Sequence, residues 1–217
     1  MKNKLLLLLL TTCGILAAQA EIYLEPRVSY LAVGGSPDIG DIGQETGTDR
    51  PSAALGLAVG YVFTPRLSLE LRYTHLGDLT VHKQSPTWRI FPPDGEVTLP
   101  AVRLYDLAQR TELFSVAARF RIWSGDKLSV NLTPMLQIER SEVKLLEAGI
   151  SPPLPYVTLV PAGTVITRRS NTDVQPGAEI SVGYRISDRV VTEIHYTYSP
   201  LSTYDAHLIG AGLVFKF

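Results

Sequence analysis

Acids and bases spaced two residues apart carry the chemistry of this sequence. Glu25 and Arg27, Glu70 and Arg72, Arg119 and Arg121, and Glu193 and His195 each share a parity. In an extended strand, residues i and i+2 point the same way, so each pair lies on one face. Glu139, Asp173, Glu179, Arg185 and Lys216 sit at matching positions in neighbouring segments. Side chains of this kind either pair as ions or pass protons. His195, with Glu193, Ser199 and Glu179 nearby, is the candidate for the second role. Catalysis would also require a nucleophile, a base and an orienting group to meet in space. His75 and His207 are candidate metal ligands, but two imidazoles without a third ligand make a weak zinc signal. No catalytic residue, metal or cofactor is assigned.

These residues ride on eight segments of period-two alternation, each about ten residues long. They cover about 22–33, 53–63, 67–76, 111–122, 128–139, 173–186 and 190–198, and the last stretch to Phe217. In the second, Leu55, Leu57, Val59, Tyr61 and Phe63 oppose Ala54, Gly56, Ala58 and Gly60. In the third, Leu67, Leu69, Leu71 and Tyr73 oppose Ser68, Glu70, Arg72 and Thr74. One face is apolar nearly end to end while the other is small, polar or charged. A soluble sandwich would bury the apolar face and leave few carboxylates inside. An outward apolar face around a narrow polar interior fits a membrane-spanning barrel.

Thr64-Pro65-Arg66, Ser124-Gly125-Asp126-Lys127 and Ser187-Asp188-Arg189 are tight turns by composition. The segments 77–110 and 140–172 are long connections. Short turns alternating with long loops are the expected topology of such a barrel. Residues 60–74 align without gaps to 183–197, so two hairpins repeat one plan. Arg72 and His195 fall in the same slot of that repeat, which favours a basic ion-pairing role for His195.

Lys2, Lys4, the run Leu5 to Leu10, and Ala18-Gln19-Ala20 form a secretory leader over residues 1–20, leaving 21–217 as the barrel. The sole cysteine, Cys13, lies in that leader, so no disulfide is expected. A net charge of −1 offers no broad basic field for nucleic acid.

The Gly-Tyr hairpins, the strands Glu70-Leu71-Arg72-Tyr73 and Glu193-Ile194-His195-Tyr196, and the ending Gly210-Ala211-Gly212-Leu213-Val214-Phe215-Lys216-Phe217 resemble the OmpA-like and OmpX-like small outer-membrane barrels. The resemblance covers nearly the whole chain after the leader. It implies an all-β, eight-stranded antiparallel transmembrane barrel in a Gram-negative outer membrane. Ten strands are possible if the long loops add a pair. It implies that Phe215 and Phe217 form the assembly signal read by the barrel assembly machinery. No peptidoglycan-binding domain is expected.

The expected interior is an ion-pair plug of Glu25, Arg27, Glu70, Arg72, Arg119, Arg121, Glu139, Glu179, Arg185, Glu193, His195 and Lys216. Tyr30, Tyr73, Phe114, Tyr196 and Tyr198 are expected in an outer aromatic girdle. Tyr61, Phe63, Phe120, Trp123 and Tyr184 are expected in an inner one. The expected partners are outer-membrane lipids, lipopolysaccharide and an extracellular ligand of the loops 77–110 and 140–172, with no nucleic acid. The leading reading is a non-enzymatic barrel serving envelope integrity or surface interaction. A narrow channel for ions or small solutes, and a lipid A-modifying enzyme, are the alternatives.

Overall fold

The computed structural model describes residues 21–34, 44–49, 53–85, 88–90, 99–151 and 163–217. The leader expected over 1–20, and residues 91–98 and 152–162 of the expected loops 77–110 and 140–172, lie outside them. Among the described residues there are ten strands: β1 (Glu21–Gly34), β2 (Gln44–Asp49), β3 (Ala53–Thr64), β4 (Leu67–Gln84), β5 (Trp88–Ile90), β6 (Leu99–Ser124), β7 (Leu128–Ser151), β8 (Val165–Arg185), β9 (Val190–Pro200) and β10 (Asp205–Lys216). Among the described residues, no helix is long and apolar enough to cross a membrane.

Eight strands close a ring. β4 pairs with β3, β3 with β1, β1 with β10, and so on through β9, β8, β7 and β6, which returns to β4. All these pairings are antiparallel. The seam runs from Tyr23↔Lys216 to Gly34↔Asp205, and the Phe217 amide donates to the Ile22 carbonyl at 2.9 Å. Each strand of the ring is hydrogen-bonded to a neighbour on both sides, the closed arrangement that hydrocarbon demands. β2 and β5 stay outside the ring. Among the described residues, β2 pairs with the distal part of β4 alone, and β5 with the start of β6 alone.

The apolar face points outward across the lower barrel. Leu57, Leu71, Val116, Leu136, Ile194 and Ile209 are all exposed, Leu71 at 65%. On β10, Ile209, Ala211 and Leu213 face out while Gly212 and Val214 are buried. Tyr23 explains one small residue: it pairs with Gly60 across β1 and β3, and its ring fills the space where a Gly60 side chain would stand.

The long connections are largely paired strand. β6 and β7 stay hydrogen-bonded from Ser124↔Ser129 up to Val102↔Ser151, and β7–β8 pairing reaches Leu146↔Val165. From Phe114 to Val102 this adds about 40 Å of strand beyond the apolar belt, at the usual rise per residue. The result is a sheet extension in the order β2–β4–β6–β7–β8, standing above the barrel.

Polarity inverts where the extension begins. Below, Leu69, Leu71 and Tyr73 on β4 face out. Above, Leu79 and Val81, of the same parity, are buried. A one-residue register shift between His75 and Asp78 turns the face over. Gly77 takes a φ of 79° within it, the glycine-type bulge that a side chain would strain. β6 and β7 invert without a bulge: apolar residues change parity, from Phe114 and Val116 outward to Leu107 and Leu113 inward.

Candidate functional site

The interior is layered. At the level of the belt lies a charge layer from five strands. Arg27 of β1 reaches Glu25 at 2.9 Å and Glu179 at 2.6 Å. Arg72 of β4 donates to Glu70 at 2.6 Å and to Glu179 at 2.8 Å. Arg119 of β6 reaches Glu25 at 2.8 Å, Glu70 at 2.7 Å and Glu193 at 3.1 Å. Thr197 donates to Glu179 at 2.7 Å and Asn131 to Glu193 at 2.9 Å. Tyr23 donates to Glu70, with the Arg119 guanidinium 5.5 Å over its ring. The four carboxyls are each at most 2% exposed. Charges so deeply buried persist only when paired and hydrogen-bonded.

Seven of the twelve residues expected in the plug meet here: Glu25, Arg27, Glu70, Arg72, Arg119, Glu179 and Glu193. The other five sit elsewhere. Glu139 is buried higher up, where it accepts from the Ser202 amide at 2.8 Å and the Ser202 hydroxyl at 2.9 Å. Arg121 and Arg185 lie at the mouth on the tight-turn side, exposed. Lys216 is also at the mouth, 3.0 Å from Glu21. His195 faces a hydroxyl rather than a carboxylate: its Nε2 lies 2.9 Å from Ser29 Oγ. Among the described residues its Nδ1 has no hydrogen-bond partner, so none of them orients the ring as a triad would require. Asp173 stands on the upper part of β8, outside the charge layer, and accepts from Asn171.

Tyr23, Asn131 and Thr197 belong to the layer and were missed. Tyr23 shares the parity of Glu25 and Arg27, which was the available signal. Tyrosine reads as a girdle residue until its face is counted.

Above the charge layer the lumen becomes apolar. Leu31, Val33, Ala54, Leu76, Leu79, Val81, Leu107, Leu113, Ala206 and Leu208 form one core with Leu201 and Tyr204 of the β9–β10 turn. Gln109 ties that turn down by donating to Thr203 at 2.9 Å. Below the layer is a vestibule of about 380 Å³ opening at the tight-turn end.

On the outside, Tyr30, Tyr73, Phe114, Tyr196 and Tyr198 are exposed at the upper level, and Phe120, Trp123 and Tyr184 at the lower one. Tyr61 and Phe63 are half-buried and meet edge to face at 4.6 Å. Phe63, beside a register shift in β3, also lines the vestibule. Phe217 is 79% exposed. His75 and His207 do not meet: β3 and β1 lie between their strands, about 14 Å along the wall at ordinary strand spacing. His207 instead accepts or donates at 2.8 Å with the Tyr196 hydroxyl. Among the described residues no cluster could hold a metal ion.

On the extension, His82 of β4 lies between two carboxylates. Its Nδ1 is 2.7 Å from Asp106 on β6 and its Nε2 3.1 Å from Asp49 on β2. Hydrogen bonds to Asp106 first, then Asp49, raise its pKa above that of an ordinary imidazole.

A closed antiparallel ring with an apolar exterior and a charged interior defines a transmembrane β-barrel. The outer membrane protein beta-barrel domain family matches residues 5–217, and the chain belongs to that family, which places it in the Gram-negative outer membrane. No curated protein sequence matches significantly. Neisserial surface protein A is similar in structure, with a TM-score of 0.51 and 14% identity over 90% of this chain and 97% of that one. Ail of Yersinia pestis, in complex with the heparin analogue sucrose octasulfate, gives 0.47 and 14% over 91% and 97%. The N-terminal barrel domain of Pseudomonas aeruginosa OprF gives 0.44 and 11% over 92% and 100%. The likeness to the Neisserial protein speaks for the fold alone.

Proposed function

We propose that this barrel is a non-enzymatic, non-conducting membrane anchor that presents its sheet extension as a binding surface outside the cell. The observation that carries the reading is the extension itself, paired strand for strand well beyond the belt. Its β8 edge is the working part. From Val165 to Gly177, β8 pairs with β7 but, among the described residues, with no strand on its other side. Val165 and Ile166 are about half exposed there. An open edge of this length is a template for a strand of another protein.

Two features support closure over conduction. The ion-paired layer and the apolar core lie in series along the lumen, and an eight-stranded barrel has only side-chain room inside. The unoriented His195 weighs against lipid modification. Just above the belt, Arg110, Arg140, Lys144 and Arg168 face outward beside Glu112 and Glu142. That excess of cations suits the phosphates of lipopolysaccharide. The exposed Phe217 at the seam suits recognition by the barrel assembly machinery.

The test replaces residues 145–167 with Asn-Gly, joining Lys144 to Arg168, which already face each other in register, through a two-residue hairpin turn. Cells carrying the parent should adhere to extracellular-matrix proteins, and cells carrying the shortened barrel should not, at equal levels of heat-modifiable protein. Equal adhesion would refute the surface reading. Steady single-channel currents from the pure parent in planar bilayers would refute closure and favour the channel.

A further inference from the structure

The vestibule at the tight-turn end is unlike the layer above it. The charge layer holds three guanidinium groups and four carboxyls. The vestibule is lined by six cations, Arg66, Arg119, Arg121, Lys127, Arg185 and Lys216, against the carboxyls of Glu21, Asp188 and Glu193. Arg119 and Lys216 are already engaged, by Glu193 and Glu21 among others. Among the described residues, Arg66, Arg121, Lys127 and Arg185 have no ion-pair partner, which leaves Asp188 as their sole counterweight in the lining.

The backbone holds these four in two pairs. The Arg121 amide donates to the Arg66 carbonyl at 2.9 Å, and the Arg185 amide to the Lys127 carbonyl at 2.8 Å. Each pair therefore joins a tight turn to the foot of a neighbouring strand. Arg121 lies opposite the buried Asn131, and Arg185 shares the inward parity of Ser181 and Gly183. Like charges fixed side by side repel, and the repulsion is relieved when an anion sits between them. Arginine forks match phosphate oxygens two at a time. Inside the rim, Val62, Phe63, Leu128 and Val214 give the wall an apolar band. A volume of about 380 Å³ falls in the range of small-ligand sites.

We propose that the vestibule is a periplasm-facing site for a compact phosphate-bearing anion, held by Arg121 and Arg185 with Arg66 and Lys127 completing the rim. The phosphate reaches it either as a soluble phosphate ester or as the headgroup of an inner-leaflet phospholipid. The site lies on the opposite side of the membrane from the extension and stands independently of the surface reading.

The experiment titrates inorganic pyrophosphate into the folded barrel in octyl glucoside micelles, at constant ionic strength, by calorimetry. Saturable one-to-one binding is expected. It should weaken about tenfold or more in the double variant Arg121→Gln/Arg185→Gln, the loss of about one strong charge-assisted contact. It should be unchanged in Arg189→Gln, which removes an exposed cation of the same end that does not line the vestibule. The rim residues are exposed, so both variants should retain the heat-modifiable mobility of a folded barrel. No saturable binding, or equal affinity in the parent and the rim variant, overturns the site. Phosphorus NMR in phosphatidylglycerol nanodiscs separates the sources. Headgroup broadening that needs Arg121 and Arg185 assigns the lipid, and its absence beside retained pyrophosphate binding assigns a soluble ester.

Discussion

Glu70 and Glu193 stand on opposite walls of the barrel, four strands apart in either direction, and the Arg119 side chain reaches both. They are the same position of the repeated hairpin. The repeat therefore sets two carboxylates across the lumen, and β6, which has no part in it, supplies the cation between them. Glu25 makes a third contact to the same group.

Arg119→Met should therefore be the most damaging single change in the interior. It leaves three buried carboxyls short of a partner, at a cost of about 3–5 kcal/mol. Glu193→Gln should cost less, because the layer holds one carboxyl more than it has guanidinium groups. Equilibrium unfolding in lipid vesicles ranks the two; the reverse order would contradict the network.

The lipid-facing register makes a second prediction. Leu57→Arg or Leu71→Arg puts charge against hydrocarbon and should cost about 2–4 kcal/mol. Ala58 is fully buried and inward, so Ala58→Arg should fail by crowding, whereas the small polar side chain of Ala58→Ser should be tolerated. Vesicle unfolding of the four variants distinguishes the two mechanisms.

His195→Arg separates the repeat from the packing. The shared slot with Arg72 makes the swap look harmless. Yet His195 is 3% exposed, against Ser29 and beside a gap of only about 20 Å³. Overpacking should cost about 1–3 kcal/mol. The lipid A mass spectrum of cells with and without the parent barrel should be the same; a parent-dependent modification that this variant loses would make His195 catalytic.

The β2 edge should respond to pH. His82 has a raised pKa in the folded state, so its contribution to holding β2 is fully present below the unfolded value near 6.5. It fades as pH rises through the higher folded value. Protection factors of the Gln44–Asp49 amides in hydrogen exchange should fall between mildly acidic and alkaline pH, by a modest amount because the imidazole is solvent-exposed. In His82→Gln the trend should vanish.

Removing Phe217 should lower the amount of folded barrel in the outer membrane while secretion continues. The residue donates its backbone amide across the seam but leaves its ring in the open. A normal yield of surface-accessible, heat-modifiable protein would show that the ring is dispensable for assembly.

The barrel was legible because hydrocarbon imposes one rule on every strand: apolar residues face out at period two. Leu55 to Val59 and Leu69 to Tyr73 obey it without exception, while Phe63, beside the register shift, turns toward the vestibule. The rule fails at the water line, which is why the outward-apolar alternation ends near residues 76, 111, 139 and 173. Beyond it Leu79, Leu107 and Val143 turn inward, and the outward positions go to Asp106, Arg110 and Arg140. An alternation whose phase reverses reads as a loop. The charge layer was legible as a set of inward residues, but parity carries no height. Glu139, Arg121 and Arg185 share the right face and lie too high or too low along the axis.

The bulge at His75–Asp78 constrains how this chain can vary. Because one surplus residue there turns the apolar side of β4 from lipid to interior, losing it would aim Leu79 and Val81 at water and swing Asp78 and His82 inward. Losses or gains of two residues would preserve the phase. Length variation at that point of β4 should therefore be tolerated in even steps only. Near Glu112 on β6 and Arg140 on β7, the reversal is written into residue types, so those strands can be re-patterned by substitution alone.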